Sequence, residues 1–193
     1  TNAVLDRFKQ IEPKVLIACD GVTYAGRDHD RRAVVAEMCA ALPTVKHVLV
    51  HANLGLDISQ AKFASDLVAN FVDLKAVTAR NDAETDGFEP LWLPFDHPLW
   101  IVYSSGTTGL PKPIVHGHGG VMLEGLKMAV LHNDLGPTVE TGDRYHWYSS
   151  TGWIMWNSQV SVLLGGTTIC VYDGNPGVNP ATGAADLGVL WRF

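Results

Sequence analysis

Residues 95–112 read FDHPLWIVYSSGTTGLPK, and the fold class follows from this stretch. Its first half, from Pro98 to Tyr103, is a dense apolar run of the length and composition of a buried strand. A loop of small hydroxylic residues and glycines comes next. The apolar spacing from His118 to about His132 is then typical of a helix. This order of strand, Gly-rich loop and helix predicts one unit of an α/β sheet.

The loop after this strand has the composition of a phosphate-binding loop. Glycines allow positive φ and a close approach of the backbone to a ligand. Hydroxyls and backbone N–H groups donate to phosphate oxygens, and a lysine adds a mobile positive charge. The predicted phosphate ligands are Ser104, Ser105, Gly106, Thr107, Thr108, Gly109 and Lys112. It is not a Walker A loop, because Pro113 follows the lysine where Ser or Thr is required. The alternative is a surface loop that binds nothing.

The alternation of strands and helices extends over the rest of the chain. It predicts a mostly parallel sheet with flanking helices. Predicted strands cover residues 14–19, 47–51, 144–150 and 167–172, with a hairpin arm at 22–25. Predicted helices cover residues 28–42, 59–70, 154–164 and 184–193. The last of these helices would expose an apolar face, so both ends of the chain are expected to be cuts in a longer protein.

Composition excludes several classes of protein. Of the 193 residues, 47% are apolar and 18% charged, which is typical of globular domains. The formal charge of −6, with no basic block, argues against a nucleic-acid partner. No apolar run approaches the roughly 20 residues that span a membrane. Three cysteines without CxxC spacing indicate reduced thiols and favour a cytoplasmic location.

Two stretches carry a resemblance to a known family. Residues 95–112 resemble the phosphate-binding signature of the adenylate-forming acyl-CoA synthetases. Residues 147–156, WYSSTGWIMW, resemble the next core motif of that family, which helps to form the acyl pocket. The acetyl-CoA synthetase branch usually carries Ala-Asp, one further residue and then Gly-Trp, whereas this chain reads Ser150-Thr151-Gly152-Trp153. This variant and the FDHPLW lead-in favour a branch that activates acetoacetate.

The resemblance implies a partial amino-terminal domain of an adenylate-forming enzyme. Residues 1–72 would be an α/β lobe, 73–97 a connector, and 98–193 the phosphate-loop and acyl-pocket region. ATP, Mg²⁺ and coenzyme A would serve the complete enzyme, with the loop residues named above on the ATP phosphates. The acyl pocket would include Thr151, Gly152 and Trp153, the indole limiting the length of the acid.

The resemblance also implies that parts are missing. The family's Tyr-Gly-x-Thr-Glu motif, its ribose-binding Asp and its catalytic Lys would lie beyond Phe193. No catalytic residue or metal ligand is therefore predicted within these residues, and the chain alone should not turn over. The predicted partners are small-molecule substrates and the remainder of the polypeptide, with self-association through open sheet edges as a further expectation.

Other assignments remain open. The acid could instead be acetate, propionate or a longer one, and the chain could be a non-catalytic nucleotide- or partner-binding fragment. A phosphatase-like or kinase-like phosphate binder lacks a supporting motif. The pair His116 and His118 is expected to be structural, since no third metal ligand has a suitable spacing. Residues 28–30 are expected to be a solvated helix start.

Overall fold

The computed structural model describes residues 1–24, 26–64, 66–104 and 109–193. These residues form two compact units. The first consists of Thr1–Pro90, residues 109–112 and Gly174–Phe193, and the second of Leu91–Ser104 and Pro113–Asp173. Both units mix helices with strands, and the predicted α/β class is confirmed.

The first unit is a parallel sheet with helices. Its elements in chain order are α1 (Asn2–Ile11), β1 (Val15–Cys19), β2 (Gly21–Tyr24), β3 (Arg27–Asp30), α2 (Arg32–Ala41), β4 (His47–His51), α3 (Gln60–Phe63), β5 (Asn70–Asp73), α4 (Leu74–Thr78) and α5 (Ala83–Asp86). Strands β1, β4 and β5 lie side by side in that order, and both pairings are parallel. The predicted strands at 14–19 and 47–51 are therefore confirmed.

One face of this sheet carries the core. Val48 and Val50 of β4 are completely buried, and Leu16 of β1 lies beside them at 6% exposure. Helix α2 adds Val35 and Cys39 to the same cluster. Alternate residues of a strand point to opposite faces, so this face excludes water while the face that contains Ile17, 66% exposed, does not.

Strands β2 and β3 form an antiparallel hairpin, in which Gly21 pairs with Asp30 and Tyr24 with Arg27. The hairpin arm predicted at 22–25 is confirmed over the residues that the structure describes. The helix predicted from residue 28 begins only at Arg32, so the interpretation of residues 28–30 as a helix start is wrong. They belong to β3 because Gly26, at φ 74°, reverses the chain and lets them pair with β2.

Two further helix predictions are corrected. The helix predicted at 59–70 stops at Phe63, since Ala64 is extended and the chain goes on to add β5 to the sheet. Residues 184–193 form turns instead of a helix. There the Asp186 carboxylate accepts a hydrogen bond from the N–H of Gly188 and pairs with Arg192. Such local bonds from a side chain to the backbone compete with helix formation.

A buried carboxylate holds the first unit together where β1 ends. Asp20 is 0% exposed, and its side chain accepts hydrogen bonds from the N–H groups of Leu54 (3.0 Å) and Leu56 (2.9 Å). Burial by itself would raise the pKa of this carboxyl, but the backbone donors outweigh burial and hold the pKa below its ordinary value. The ionised form of Asp20 therefore stabilises the fold.

The second unit follows a strand–strand–helix order. Its elements are β6 (Pro98–Ser104), β7 (Lys112–Gly117, of which only Lys112 belongs to the first unit), α6 (His118–Leu126), a π-helical segment (Lys127–His132), α7 (Thr138–Thr141), β8 (Arg144–Tyr145), α8 (Ile154–Ser161), a 3₁₀ segment (Val162–Gly165) and β9 (Thr168–Ile169). Strand β6 pairs with β7, and β8 pairs with β9 in parallel. The strand predicted from Pro98 and the helices predicted from His118 and Ile154 are confirmed, whereas β7 was not predicted.

We expect Asp20→Ala to lower the free energy of unfolding by about 3 kcal/mol, because it leaves buried N–H groups without an acceptor. Urea denaturation of the 193-residue chain measures the loss. Asp6→Ala is the matched control, since Asp6 lies exposed on α1, and it should change stability by less than about 0.5 kcal/mol. An equal loss in both variants would contradict the role of Asp20.

The same carboxylate gives a pH dependence. The pKa of Asp20 is lower in the folded chain than in the unfolded chain. Its contribution to the free energy of unfolding is therefore complete above the unfolded pKa of about 3.9, and it is lost as the pH falls through the folded pKa. The stability gap between the unmodified chain and Asp20→Asn should therefore be widest near neutral pH and should narrow below about pH 4.

Candidate functional site

The predicted phosphate loop lies between β6 and β7. Ser104 is the last residue of β6 and is half-buried, and Lys112 is the first residue of β7 and is exposed. Gly109 has φ 150°, a conformation that side-chain-bearing residues rarely adopt. The other four predicted phosphate ligands, residues 105–108, lie outside the described part of the chain. Phosphate binding by these residues stays a prediction.

The segment that leads into β6 packs against the start of α6. The N–H of Gly119 donates to the carbonyl of Phe95 (2.8 Å), and the N–H of His118 donates to the carbonyl of His97 (3.0 Å). The first N–H groups of a helix have no partner within the helix. Here two of them are satisfied by the lead-in peptide, so these two are not available to bind an anion.

Two glycines permit this close approach. A Cβ on Gly119 would lie 2.0 Å from the Phe95 ring, and a Cβ on Gly117 would lie 3.1 Å from the backbone of Asp96. The rings of His97 and His118 lie 5.7 Å apart, which gives His118 a packing role at this contact. The sequence analysis missed Phe95 and Gly119. The available signal was the repeated glycine in residues 117–120, which read GHGG.

The predicted acyl-pocket residues form one exposed stretch. Thr151 and Gly152 lie in a turn closed by a hydrogen bond from the N–H of Trp153 to the carbonyl of Ser150 (3.1 Å). Trp153 caps the start of α8, and its side chain is 65% exposed. The structure brings these three residues together at the amino end of α8, and their role in binding an acid stays a prediction.

A cavity of about 230 Å³ opens beside them in the second unit. Its apolar lining includes Val121 and Met128 on one side and Ile154 and Met155 on the other. Thr151, Gly152 and Trp153 are not part of its lining, whereas the next two residues are. The cavity is somewhat smaller than the roughly 300–1,000 Å³ of pockets for drug-sized ligands, so its size suits a small organic acid.

A buried glutamine fixes the helix that carries this stretch. Gln159 of α8 is 2% exposed. Its Oε1 accepts a hydrogen bond from the N–H of Trp147 (2.9 Å), and its Nε2 donates to the carbonyl of Cys170 (3.3 Å). Gln159 thereby ties α8 to the chain after β8 and to the chain after β9. Sequence reasoning missed it, because α8 also carries Asn157 and Ser158, so the amide at 159 does not stand out.

No three His, Cys, Asp or Glu side chains among the described residues are placed to share a metal ion. None of the helices found there is long and apolar enough to cross a membrane.

Comparison with known proteins identifies the family. Residues 2–187 match the family model described as AMP-binding enzyme. The match covers nearly the whole chain, and the chain therefore belongs to the AMP-binding enzyme family. The resemblance read from residues 95–112 and 147–156 is confirmed.

Several similar proteins carry the name of one enzyme. The chain is 37% identical to acetoacetyl-CoA synthetase of Gallus gallus, covering 91% of this chain and 25% of that protein. It is 39% identical to acetoacetyl-coenzyme A synthetase of Rhizobium meliloti (strain 1021), covering 100% and 28%. The solved acetoacetyl-CoA synthetase from Streptomyces lividans matches with a TM-score of 0.77 and 50% identity, covering 91% of this chain and 25% of that one. The chain thus spans about a quarter of the length of the relatives that it matches.

We expect Gly119→Ala to lower the free energy of unfolding by about 1–3 kcal/mol, because the new methyl group displaces the Phe95 ring. Gly120→Ala is the matched control on the next residue. A Cβ there meets nothing within 4 Å, so this variant should be neutral or more stable by up to about 1 kcal/mol.

A double-mutant cycle tests whether Phe95 is the cause. The penalty of Gly119→Ala should largely disappear in a Phe95→Ala background, because the ring that the methyl group displaces is then absent. An undiminished penalty would show that some other contact of Gly119 is responsible. Urea denaturation of the four chains supplies all of the required values.

Proposed function

We propose that these residues form part of an AMP-forming acid–thiol ligase that activates acetoacetate. The similarity to proteins named acetoacetyl-CoA synthetase, over nearly the whole chain, carries this proposal. In the first half-reaction, a carboxylate oxygen of the acid attacks the α-phosphorus of ATP and pyrophosphate leaves. In the second, the sulfur of coenzyme A attacks the acyl carbon, and AMP leaves as the thiol loses its proton.

The chain contributes phosphate binding to this reaction. In the proposal, Ser104, Ser105, Gly106, Thr107, Thr108 and Gly109 donate hydrogen bonds to the ATP phosphates, and Lys112 offsets their charge. The observed positions support this arrangement, since Ser104 ends a strand, Gly109 has the predicted backbone freedom and Lys112 is exposed to solvent.

The amino end of α8 is the proposed acyl site. Thr151, Gly152 and Trp153 would contact the acid, and the adjoining cavity would receive its short carbon chain. The small volume of the cavity and its mostly apolar lining, which also includes His116 and Glu124, support a small acid with little room for a long tail. The buried amide of Gln159 would keep α8 in position while the acid binds.

The remaining components belong to the complete ligase. ATP and coenzyme A would be its co-substrates. Mg²⁺ would accompany the ATP phosphates and offset their charge, with protein ligands supplied outside the described residues. The catalytic residues would come from the remainder of the polypeptide. A cytoplasmic location is proposed because Cys19, Cys39 and Cys170 are free thiols.

Acid-dependent exchange of pyrophosphate into ATP tests the substrate. We expect the polypeptide that contains these residues to exchange faster with acetoacetate than with acetate or butyrate, and the 193-residue chain alone to show no exchange. A preference for acetate or butyrate would change the proposed substrate but not the proposed class of enzyme. Exchange with none of the three would contradict the proposed half-reaction.

Lys112→Ala in that polypeptide should lower kcat/KM for ATP by about 10- to 100-fold, because a charged contact to phosphate is lost. Lys75→Ala is the control, since Lys75 lies exposed on α4, which packs on β4 and β5, and its loss should change kcat/KM less than twofold. If both variants react like the unmodified enzyme, Lys112 does not bind the phosphates.

A further inference from the structure

One face of α8 and the first residue after it line the cavity of the second unit. The lining residues from this part of the chain are Ile154, Met155, Asn157, Ser158, Ser161 and Val162. Their spacing of three and four residues is that of a single helix face. The other side of the cavity contains the apolar residues Val121 and Met128. Polar groups from α8 therefore share the cavity with a largely apolar wall.

Most of these polar side chains already have partners. Ser161 Oγ donates to the main-chain carbonyl of Asn157 (2.8 Å). Asn133, which also lines the cavity, donates from Nδ2 to a main-chain carbonyl of the π-helical segment (2.9 Å). The hydroxyl of Ser158 lies 3.5 Å from the hydroxyl of Tyr145. These groups hold the walls of the cavity in place.

Two further polar side chains at the cavity are exposed to solvent. Glu124 forms an ion pair with Lys127 (2.7 Å), and an ionised carboxylate accepts hydrogen bonds but does not donate them. His116, on β7, is exposed, so water competes for its ring nitrogens. Neither residue offers a ligand a donor that is shielded from water.

The side-chain amide of Asn157 differs from all of these groups. Asn157 is half-buried, and none of the hydrogen bonds found among the described residues uses its side chain. An amide carries two N–H donors, and burying them without an acceptor costs free energy. Asn157 follows Trp153 by one helical turn, which places it about 6 Å further along α8. An acceptor on a ligand in the cavity would satisfy this amide.

The choice between acetoacetate and butyrate depends on such a donor. The two acids have the same number of carbons and differ at the third carbon, which is a ketone in acetoacetate and a methylene in butyrate. A ketone oxygen accepts hydrogen bonds and does not donate them. A purely apolar cavity would favour butyrate, because it would remove the ketone from water without replacing its hydrogen bonds.

We propose that Nδ2 of Asn157 donates a hydrogen bond to the ketone oxygen of the acid and thereby selects a 3-oxo acid over the saturated acid of the same length. This role rests on the proposed function, because that function assigns the cavity to the carbon chain of the acid. The carboxylate would lie toward the amino end of α8, and the ketone would lie one helical turn deeper. Asn157 thus determines specificity without contact to the reacting carboxylate.

Acid-dependent exchange of pyrophosphate into ATP, by the longer polypeptide that contains these residues, tests the role of Asn157. Asn157→Leu replaces the amide by an apolar side chain of similar shape. It should lower kcat/KM for acetoacetate by about 10- to 100-fold, because the ketone oxygen is then buried without a donor. The value for butyrate should stay the same or rise, which also shows that the variant folds.

Ser158→Ala is the matched control, since Ser158 is the next residue and also lines the cavity. It removes a hydroxyl that already lies near Tyr145, so it should affect both acids alike. The ratio of kcat/KM for acetoacetate to that for butyrate should therefore change by less than about threefold.

The unmodified enzyme separates a wrong role for Asn157 from a wrong function. If it activates neither acid, or prefers butyrate, the proposed function falls and the role of Asn157 falls with it. If it prefers acetoacetate and Asn157→Leu keeps that preference, the function stands and only the role of Asn157 is overturned. An equal loss for both acids in Asn157→Leu would also overturn this role, because the amide would then support the fold.

Infrared spectroscopy gives a second measurement that does not depend on turnover. A hydrogen bond to a ketone oxygen lowers the stretching frequency of the carbonyl group, and a ¹³C label at the ketone carbon identifies that band. The band of bound acetoacetate should lie at a lower frequency in the unmodified polypeptide and in Ser158→Ala than in Asn157→Leu. The same frequency in all three polypeptides would overturn the proposal.

Discussion

The first unit depends on Asp20, which joins four segments through one buried residue. Its N–H donates to the carbonyl of His51 at the end of β4, and its carbonyl accepts from the N–H of Arg31 at the start of α2. Its carboxylate accepts from the N–H groups of Leu54 and Leu56 in the loop that follows β4. A buried carboxylate is costly unless its oxygens are bonded. This one is stable because the loop converges on it, and the conformation of the loop is fixed by the same bonds.

The second unit achieves a similar result with neutral groups. Gln159 bonds to the backbone of two separate segments, and the carbonyls of Phe95 and His97 satisfy the first N–H groups of α6. None of these contacts requires a charge in the interior. Lys112, at the start of β7, is exposed, and no ion pair within the described residues includes it. Its charge therefore remains available for an anionic ligand.

The elements that the sequence predicted well are those whose signal is local. Strands β1, β4 and β6 are short apolar runs bounded by turn residues, and the helix from His118 has regular apolar spacing. The residues of the phosphate loop were recognisable because glycine, hydroxyl and lysine chemistry is local too. Most of the errors arose where pairing with another strand decides the outcome. Residues 28–30 form a strand because β2 lies beside them, and the helix predicted at 59–70 ends at Phe63, before the chain pairs with β4 as β5.

The contacts around the site were harder to predict for the same reason. Nothing in the local sequence shows that Gly119 must admit the ring of Phe95, 24 residues earlier, because the requirement comes from the approach of two segments. In the same way, the side chain of Gln159 can bond to two backbone segments only because the fold brings both of them close to it. The sequence does show a cluster of glycines at residues 117–120. The partner that explains it emerges only from the three-dimensional arrangement.

Large apolar side chains remain in contact with water in both units. Leu91, Trp92 and Val139 of the second unit are each more than 80% exposed, as are Leu187 and Trp191 of the first. Each such side chain would contribute about 1.5–3 kcal/mol if it were fully covered. A polypeptide that covers several of them should therefore be more stable than the 193-residue chain. Substitutions at Asp20 or Gly119 break contacts within a single unit, so their energetic cost should be similar in either context.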